Sequence, residues 1–399
     1  MSPLGRETAV GIVGAGAMGG GIAQVASTAG HQVLLYDTRA GAASRAIDGI
    51  TKALNRQVEK QKLSSDDARA IVSRMRVVDA GESGRTALSA FADCGIVIEA
   101  IVEQLDVKRD LFTTLERLVS AECVLGTNTS SLSVTAIAGT CAHPERVIGI
   151  HFFNPAPVLP LVEIVPGLAT SESLVHTVRA LVDAWGKTTV IASDTPGFIV
   201  NRIARPFYGE ALKMFEEGIA DRPTIDWAMR EVGGFRMGPF ELMDFIGNDI
   251  NFAATSAVFE GTFYDPRYLP FVTQQRLVEA GRFGKKTGRG HYDYSVDAPA
   301  LQPTTDQALG KSIVARILAM LINEAADAVA TGIGSPADVD LAMTKGVNYP
   351  KGLLQWGNDL GLSAVLDTLE ELQREYGGAR YRPSVLLKRM VREGKQFHQ

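Results

Sequence analysis

Cysteine is scarce in this chain: Cys94, Cys123 and Cys141 are the only three among 399 residues. They are scattered, odd in number and never in a CxxC pattern. That argues against a disulfide framework and a zinc site, and for a reducing compartment. A basic excess is missing too. Forty Lys and Arg against 45 Asp and Glu leave a net charge of −5, which gives no footprint for nucleic acid. No apolar run is long enough to span a bilayer, and the first residues are too few and too polar for a secretory leader. The expectation is a cytoplasmic protein with no nucleic-acid partner, no membrane and no metal.

What is present reads as an ordinary globular protein. Hydrophobic residues make up 46% and charged residues 21%, and the length suggests two or three domains. A chain of this size can build a core without disulfide or metal staples.

Residues Ala9 to Val13 form an apolar, strand-like run that leads into Gly14-Ala-Gly16-Ala-Met18-Gly19. A helical pattern follows to Gly30, and a second strand-like run from His31 ends at Asp37. Strand, glycine turn, helix, strand and acid in this order are the dinucleotide-binding unit. Gly14 permits the tight turn, Gly16 lets the backbone approach a pyrophosphate, and Gly19 lets helix and strand pack closely. The helix N-terminus then faces the phosphates. Gly14, Gly16, Met18 and Gly19 are therefore the expected cofactor loop. At Asp37 a carboxylate accepts ribose hydroxyls and repels a 2′-phosphate, favouring NAD over NADP. Arg39, two residues on, softens that repulsion and keeps NADP open. The plainer reading of Asp37 is a turn former after a strand.

From Ala42 to Leu63 the pattern is helical, with Lys52, Arg56 and Lys60 on one face. This row suits a phosphorylated substrate, or it is simply a solvated face. Two further apolar runs, Cys94 to Ala100 and Val124 to Thr127, read as buried parallel strands. Strand C-termini face the ligand in a doubly wound sheet, which places Glu103, Asn128 and Ser130 near the cofactor. For Asn128 and Ser130 the alternative is capping of a helix over Leu132–Ala138.

Val147-Ile-Gly-Ile leads into His151-Phe-Phe-Asn154-Pro155, and Leu159-Pro-Leu-Val-Glu163-Ile-Val is an apolar strand carrying one acid. A carboxylate in such a run needs a partner, because burying it alone is costly. His151 is the obvious one, and a histidine held by a carboxylate can take a proton from an alcohol. A satisfied core histidine is the alternative.

Ser173 to Trp185 read as a helix and Thr188 to Ala192 as the last strand of the first domain. Asp194-Thr-Pro-Gly197 is a turn signal that marks a boundary. Beyond it the chain repeats itself. Arg202, Glu210, Ala211, Gly218, Asp226, Ala228, Met229, Gly238 and Gly247 recur as Arg316, Glu324, Ala325, Gly332, Asp340, Ala342, Met343, Gly352 and Gly361, at one offset of 114 without gaps. This predicts two copies of one helical unit. The expected domains are residues 1–194, 195–296 and 306–399. Asn201 of the first copy meets Ala315 in the second, so the first copy is expected to complete the active site and the second to be structural. Trp227, Met237 and Trp356 are read as core.

Gly14-Ala-Gly-Ala-Met-Gly19, Asn128-Thr-Ser130-Ser131-Leu, His151-Phe-Phe-Asn154-Pro, Thr195-Pro-Gly-Phe-Ile-Val-Asn201-Arg and Gly284-Lys-Lys-Thr-Gly288 together resemble the L-3-hydroxyacyl-CoA dehydrogenases. The resemblance covers nearly the whole chain. It is most similar to the bacterial branch with two C-terminal domains, which includes 3-hydroxybutyryl-CoA and 3-hydroxyadipyl-CoA dehydrogenases of fatty-acid and phenylacetate breakdown. It implies an NAD-binding Rossmann domain of α/β doubly wound type, followed by an all-α domain in two tandem copies. It also implies His151 as base, Glu163 as its orienting acid, Ser130 and Asn201 at the substrate, Asp37 at the adenosine ribose, and Glu103 and Lys108 at the cofactor. The partner is an acyl-CoA. Lys60 matches a CoA-holding lysine of some relatives, with Arg56 on the same face, whereas Ala53 stands where those relatives have a serine. Single-unit relatives dimerise through the helical domain. The tandem copies therefore suggest a pseudo-dimer within one chain, with a homodimer as the alternative. Two rival functions share parts of these motifs: oxidation of a free hydroxy acid, as in gulonate dehydrogenases, and a non-catalytic scaffold, as in the lambda-crystallins.

Overall fold

The computed structural model describes residues 4–78 and 84–398, which form two compact units, Met1–Thr195 and Pro196–Gln399. The first unit is built on eight strands: β1 (Val10–Val13), β2 (Val33–Tyr36), β3 (Met75–Val77), β4 (Ile96–Glu99), β5 (Val124–Thr127), β6 (Val147–Phe152), β7 (Leu161–Pro166) and β8 (Thr188–Ile191). They form one sheet in the order β3-β2-β1-β4-β5-β6-β7-β8. β1, β4, β5 and β6 are buried along their whole length, as expected of strands covered on both faces. Helices α1 (Ala17–Thr28) and α2 (Ala42–Glu59) follow β1 and β2. The core between sheet and helices includes Ile12, Ile22, Leu35, Ile98, Ile150 and Val178.

Every neighbouring pair in the sheet is parallel except β6 and β7, which run antiparallel. In that pair His151 lies directly opposite Glu163. The doubly wound pattern therefore carries one reversal, and it falls at the histidine.

Several boundaries differ from the sequence reading. α2 stops at Glu59, so Lys60 is its C-terminal flanking residue and Gln61 takes a left-handed φ of 55° that a helix cannot continue. Lys52, Arg56 and Lys60 are all exposed. The helix expected from Leu132 begins at Val134, and its N-cap is Ser133, whose side chain accepts from the Ala136 N–H. Capping is thus the task of Ser133 rather than Ser130 or Asn128.

The second unit is helical and holds both sequence copies. Its longest helix, Gln307–Ala330, opens the second copy and is buried from Ile313 onward over most of its length. Trp227 is buried, while Met237 and Trp356 are half-buried. The copies exchange partners reciprocally. Arg202 of the first binds Glu324 of the second at 3.0 Å, and Arg316 of the second binds Glu210 of the first at 2.8 Å. A second arginine and a tyrosine join each carboxylate: Arg267 and Tyr268 at Glu324, Arg380 and Tyr381 at Glu210. Both glutamates are buried. Several donors per carboxylate are what make such burial tolerable. A shared local motif recurs as well. Asp226 accepts the N–H groups of Phe240 and Glu241, and Asp340 those of Leu354 and Gln355.

Removing the Glu210 carboxylate takes the closest acidic partner from buried Arg316 and from half-buried Arg380. Glu210→Ala is therefore expected to lower stability by about 3–5 kcal/mol, read as a loss of denaturation midpoint. Replacing an exposed acid such as Glu279 is expected to change stability by less than about 0.5 kcal/mol.

Candidate active site

The site is built at the C-terminal ends of the central strands. β1 gives way to the glycine loop through Gly14, whose φ of +104° is a region that only glycine occupies readily. A Cβ there would meet the Ala100 carbonyl oxygen at 2.4 Å, and a Cβ on Gly19 would lie 1.7 Å from the Gly14 oxygen. Both positions therefore require glycine for chain packing. Gly16 is different: a Cβ added there would meet nothing within 4 Å. Its missing side chain leaves open backbone at the start of α1, the approach a pyrophosphate needs. Met18 is half-buried on the first turn of α1 and packs against the core.

Asp37, just beyond β2, is tied to this loop. Its Oδ2 accepts the Ala15 N–H at 2.8 Å, and Arg39 holds both oxygens through its side chain, at 3.0 and 3.2 Å. Burial pushes the Asp37 carboxyl up. The hydrogen bonds from the Arg39 side chain and from the N–H groups of Ala15 and Arg39 outweigh it and bring the pKa to about 2. The residues present thus fit a dinucleotide: open backbone at Gly16 beside an ionised carboxylate.

β4 ends in Glu99, a buried acid that the sequence reading passed over. It accepts Lys108 Nζ at 2.6 Å, the Thr127 hydroxyl at 2.7 Å and the Ile101 N–H at 2.7 Å. Lys108 is buried and also reaches Glu103 at 3.1 Å. Glu103 in turn gathers the loop after β5. Its Oε1 accepts the Thr129 hydroxyl at 2.6 Å and the N–H groups of Ser130 and Ser131 at 2.9 and 3.2 Å. Burial pushes Glu103 up, but the Lys108 ammonium and the Thr129 and Ser130 donors more than offset this and leave its carboxyl below the usual range. Glu103 and Lys108 therefore fix the loop that carries Ser130. The Ser130 hydroxyl makes only a long 3.5 Å contact with Glu103. Asn128 points its side-chain oxygen at the Phe152 N–H, at 2.9 Å, pinning that loop to the residue after His151.

His151 and Glu163 meet across β6 and β7. The His151 Nδ1 to Glu163 Oε2 distance is 2.7 Å, and both side chains are buried. A carboxylate can only accept, so Nδ1 donates. The neutral ring is thereby held in the tautomer whose basic nitrogen is Nε2. Phe153 lies against the imidazole, with ring centres 4.5 Å apart. Asp194 is a further residue that sequence reasoning missed as part of the frame. It accepts from the Ser133 hydroxyl and from the N–H groups of Val134 and Thr135.

The remaining sequence candidates lie elsewhere. Lys60 and Arg56 are exposed at the end of α2. Asn201, in the second unit, is half-buried on a helix spanning Val200–Ile203, and its carbonyl accepts Arg205 Nε at 2.7 Å. Gly284-Lys-Lys-Thr-Gly288 belongs to a segment that wraps buried Asp244, which accepts the N–H groups of His291 and Tyr292. That segment therefore has a structural task. Among the described residues, no three His, Cys, Asp or Glu side chains gather as a metal site, and no helix is long and apolar enough to cross a membrane.

The chain is similar to known proteins over nearly its whole length. The family described as "3-hydroxyacyl-CoA dehydrogenase, NAD binding domain" matches residues 9–195, and "3-hydroxyacyl-CoA dehydrogenase, C-terminal domain" matches twice, over 197–294 and 313–397. The chain is 40% identical to a 3-hydroxyadipyl-CoA dehydrogenase of Escherichia coli, covering 95% of this chain and 96% of that one. It is also 40% identical to a probable 3-hydroxybutyryl-CoA dehydrogenase of Bacillus subtilis, which spans 71% of this chain and is itself 96% covered. Among solved structures, a 3-hydroxybutyryl-CoA dehydrogenase from E. coli superposes with a TM-score of 0.91 at 38% identity, covering 98% of this chain and 99% of that one.

The Asp37 geometry makes a pH prediction. Its carboxyl drops from the ordinary 3.8 to about 2 on folding, so its contribution to stability is complete above the higher value and is lost as pH falls through the lower. The stability difference between wild type and Asp37→Asn is expected to be flat above about pH 5 and to shrink steadily toward about pH 2. Paired urea titrations would check this.

Proposed function

Because the chain belongs to the 3-hydroxyacyl-CoA dehydrogenase family, we propose that it oxidises the 3-hydroxyl of an L-3-hydroxyacyl-CoA to the 3-oxo group with NAD, reversibly. The observation that carries this reading is the buried His151–Glu163 pair at 2.7 Å on adjoining strands. In the forward direction His151 Nε2 takes the hydroxyl proton as C3 loses its hydride. NAD, when bound, supplies the hydride acceptor. Gly14, Gly16, Gly19 and Asp37 would hold it, with Met18 packed beneath the loop. Glu163 stabilises the imidazolium that forms, and Ser130 and Asn201 position the substrate oxygen. Glu103, Lys108 and Asn128 keep the Ser130 loop in place for the cofactor and substrate. Lys60 and Arg56 face the CoA phosphates.

The acyl chain is short, of the hydroxybutyryl or hydroxyadipyl kind. This follows the relatives that span both helical copies. Because Asn201 has its counterpart in exposed Ala315, there is one active site per chain. The reciprocal Arg–Glu bonds support a tandem pair that stands in for a subunit contact, which makes the protein a monomer. Its three cysteines are unpaired, as suits the cytoplasm.

Substituting His151 with Gln is expected to cut kcat by about 10²–10⁴ while leaving NADH binding intact, as read by fluorescence titration. Near-normal turnover would overturn the assignment. Glu163→Gln is expected to be comparably damaging. Its amide can donate to Nδ1 and favour the wrong tautomer, a change that costs about 10⁴ in serine proteases. Comparing kcat/KM for 3-hydroxybutyryl-CoA and 3-hydroxyadipyl-CoA assigns the chain, and a sizing experiment coupled to light scattering checks for the mass of a single chain.

A further inference from the structure

The carboxylate that would receive the cofactor ribose is already fully engaged. Asp37 offers about four acceptor positions, and four donors fill them. Oδ1 takes the Arg39 N–H at 2.9 Å and Arg39 Nε at 3.0 Å. Oδ2 takes the Ala15 N–H at 2.8 Å and the Arg39 terminal nitrogen at 3.2 Å. Two of the four belong to one guanidinium, and that side chain is 70% exposed. A ribose diol can gain its acceptor only by displacing this guanidinium, because the two backbone donors are fixed in the loops.

Displacement is feasible because the arginine head is open to solvent while only Asp37 is buried, and the two hydroxyls of a diol would replace the two donors that leave. The displaced group is a planar fork of donors suited to binding a phosphate through two parallel bonds. It pairs with the carboxylate that would take the ribose hydroxyls, so a phosphate on the 2′-oxygen of a ribose held there would come within its reach. Arg39 is, moreover, part of the wall of a cavity of about 480 Å³ that starts at Ala15 and Gly16 of the glycine loop. The described residues around that cavity include a second guanidinium, Arg45, and no carboxylate. The wall beside the acid is therefore positive, and the repulsion that Asp37 alone would exert on a 2′-phosphate is offset.

We propose that Arg39 sets the cofactor selectivity of this protein: it competes with the ribose of NAD for Asp37 and pairs with the 2′-phosphate of NADP, so that both dinucleotides are used. This rests on the reading of the first unit as a dehydrogenase cofactor site. It makes opposite demands on one side chain, which a merely structural role would not.

The test is a fluorescence titration of the full-length protein with NADH and with NADPH, in wild type and Arg39→Ala. It is accompanied by kcat/KM for NAD and NADP with 3-hydroxybutyryl-CoA. The exposed side chain makes the variant safe for folding, and its thermal midpoint verifies this. In wild type the preference for NADH over NADPH is expected to stay below about 100-fold, because the acid is neutralised. In Arg39→Ala, NADH is expected to bind about two- to fivefold tighter, the gain from removing a weak competitor. NADPH is expected to bind at least about tenfold more weakly, the loss of a charge-assisted fork. A shift of both affinities in the same direction would mean that Arg39 reads a part common to the two dinucleotides, and would overturn the proposal. So would unchanged affinities, or a wild-type preference above about 100-fold. The titrations need no acyl substrate. Failure of turnover with cofactor binding as expected would count against the hydroxyacyl-CoA reading and leave this inference standing.

Discussion

One reversal of chain direction governs the first unit. β7 runs against β6, and the register sets His151 opposite Glu163. A slip of one residue would carry the glutamate to the other face of the sheet. There, with no histidine to meet, its buried charge would be left to find another partner, at a cost of several kcal/mol. The bond that orients the imidazole is therefore also a bond that helps fix strand register. Folding in the correct register and fixing the tautomer of the His151 ring are the same event.

The loops around that pair are held by buried charge in the same manner. Glu99 sits under the ends of β4 and β5 and shares Lys108 with Glu103, which draws in the backbone of Ser130 and Ser131. Asp194, from beyond β8, closes over the first turn of the helix Val134–Ala138 that follows the Ser130 loop. Each carboxylate replaces solvent with fixed donors, so the loops need little reorganisation when a charged ligand arrives. This rigidity comes from carboxylates that bind the protein's own backbone and side-chain donors.

Sequence legibility follows the distance over which each feature acts. The glycine loop, the strand before it and Asp37 span fewer than thirty residues, and their order alone defines the unit. His151 and Glu163 were readable because an acid in an apolar strand demands a partner and few candidates stood nearby. Glu99 was not readable. It ends a strand in ordinary fashion, and its importance comes from Thr127 and Lys108, which only the fold brings to it. Ser130 and Ser133 illustrate a finer limit. Both precede the same helix, and only the backbone shows that the second caps it while the first is tied to Glu103. The repeat was plain from its constant offset, yet nothing in that offset said that each arginine would choose the glutamate of the other copy.

That exchange has a consequence for how the protein can change. In an assembly of identical subunits, every substitution at a shared contact appears on both sides at once, and each must be tolerated twice. Here Glu210 and Glu324 are separate positions on one chain, each answering to its own set of arginine and tyrosine partners. A mutation at one leaves the other as it was. One half can carry Ala315 where the other carries Asn201, with no change forced on its partner. Two copies on one chain are therefore released from the symmetry that would bind identical subunits to the same fate.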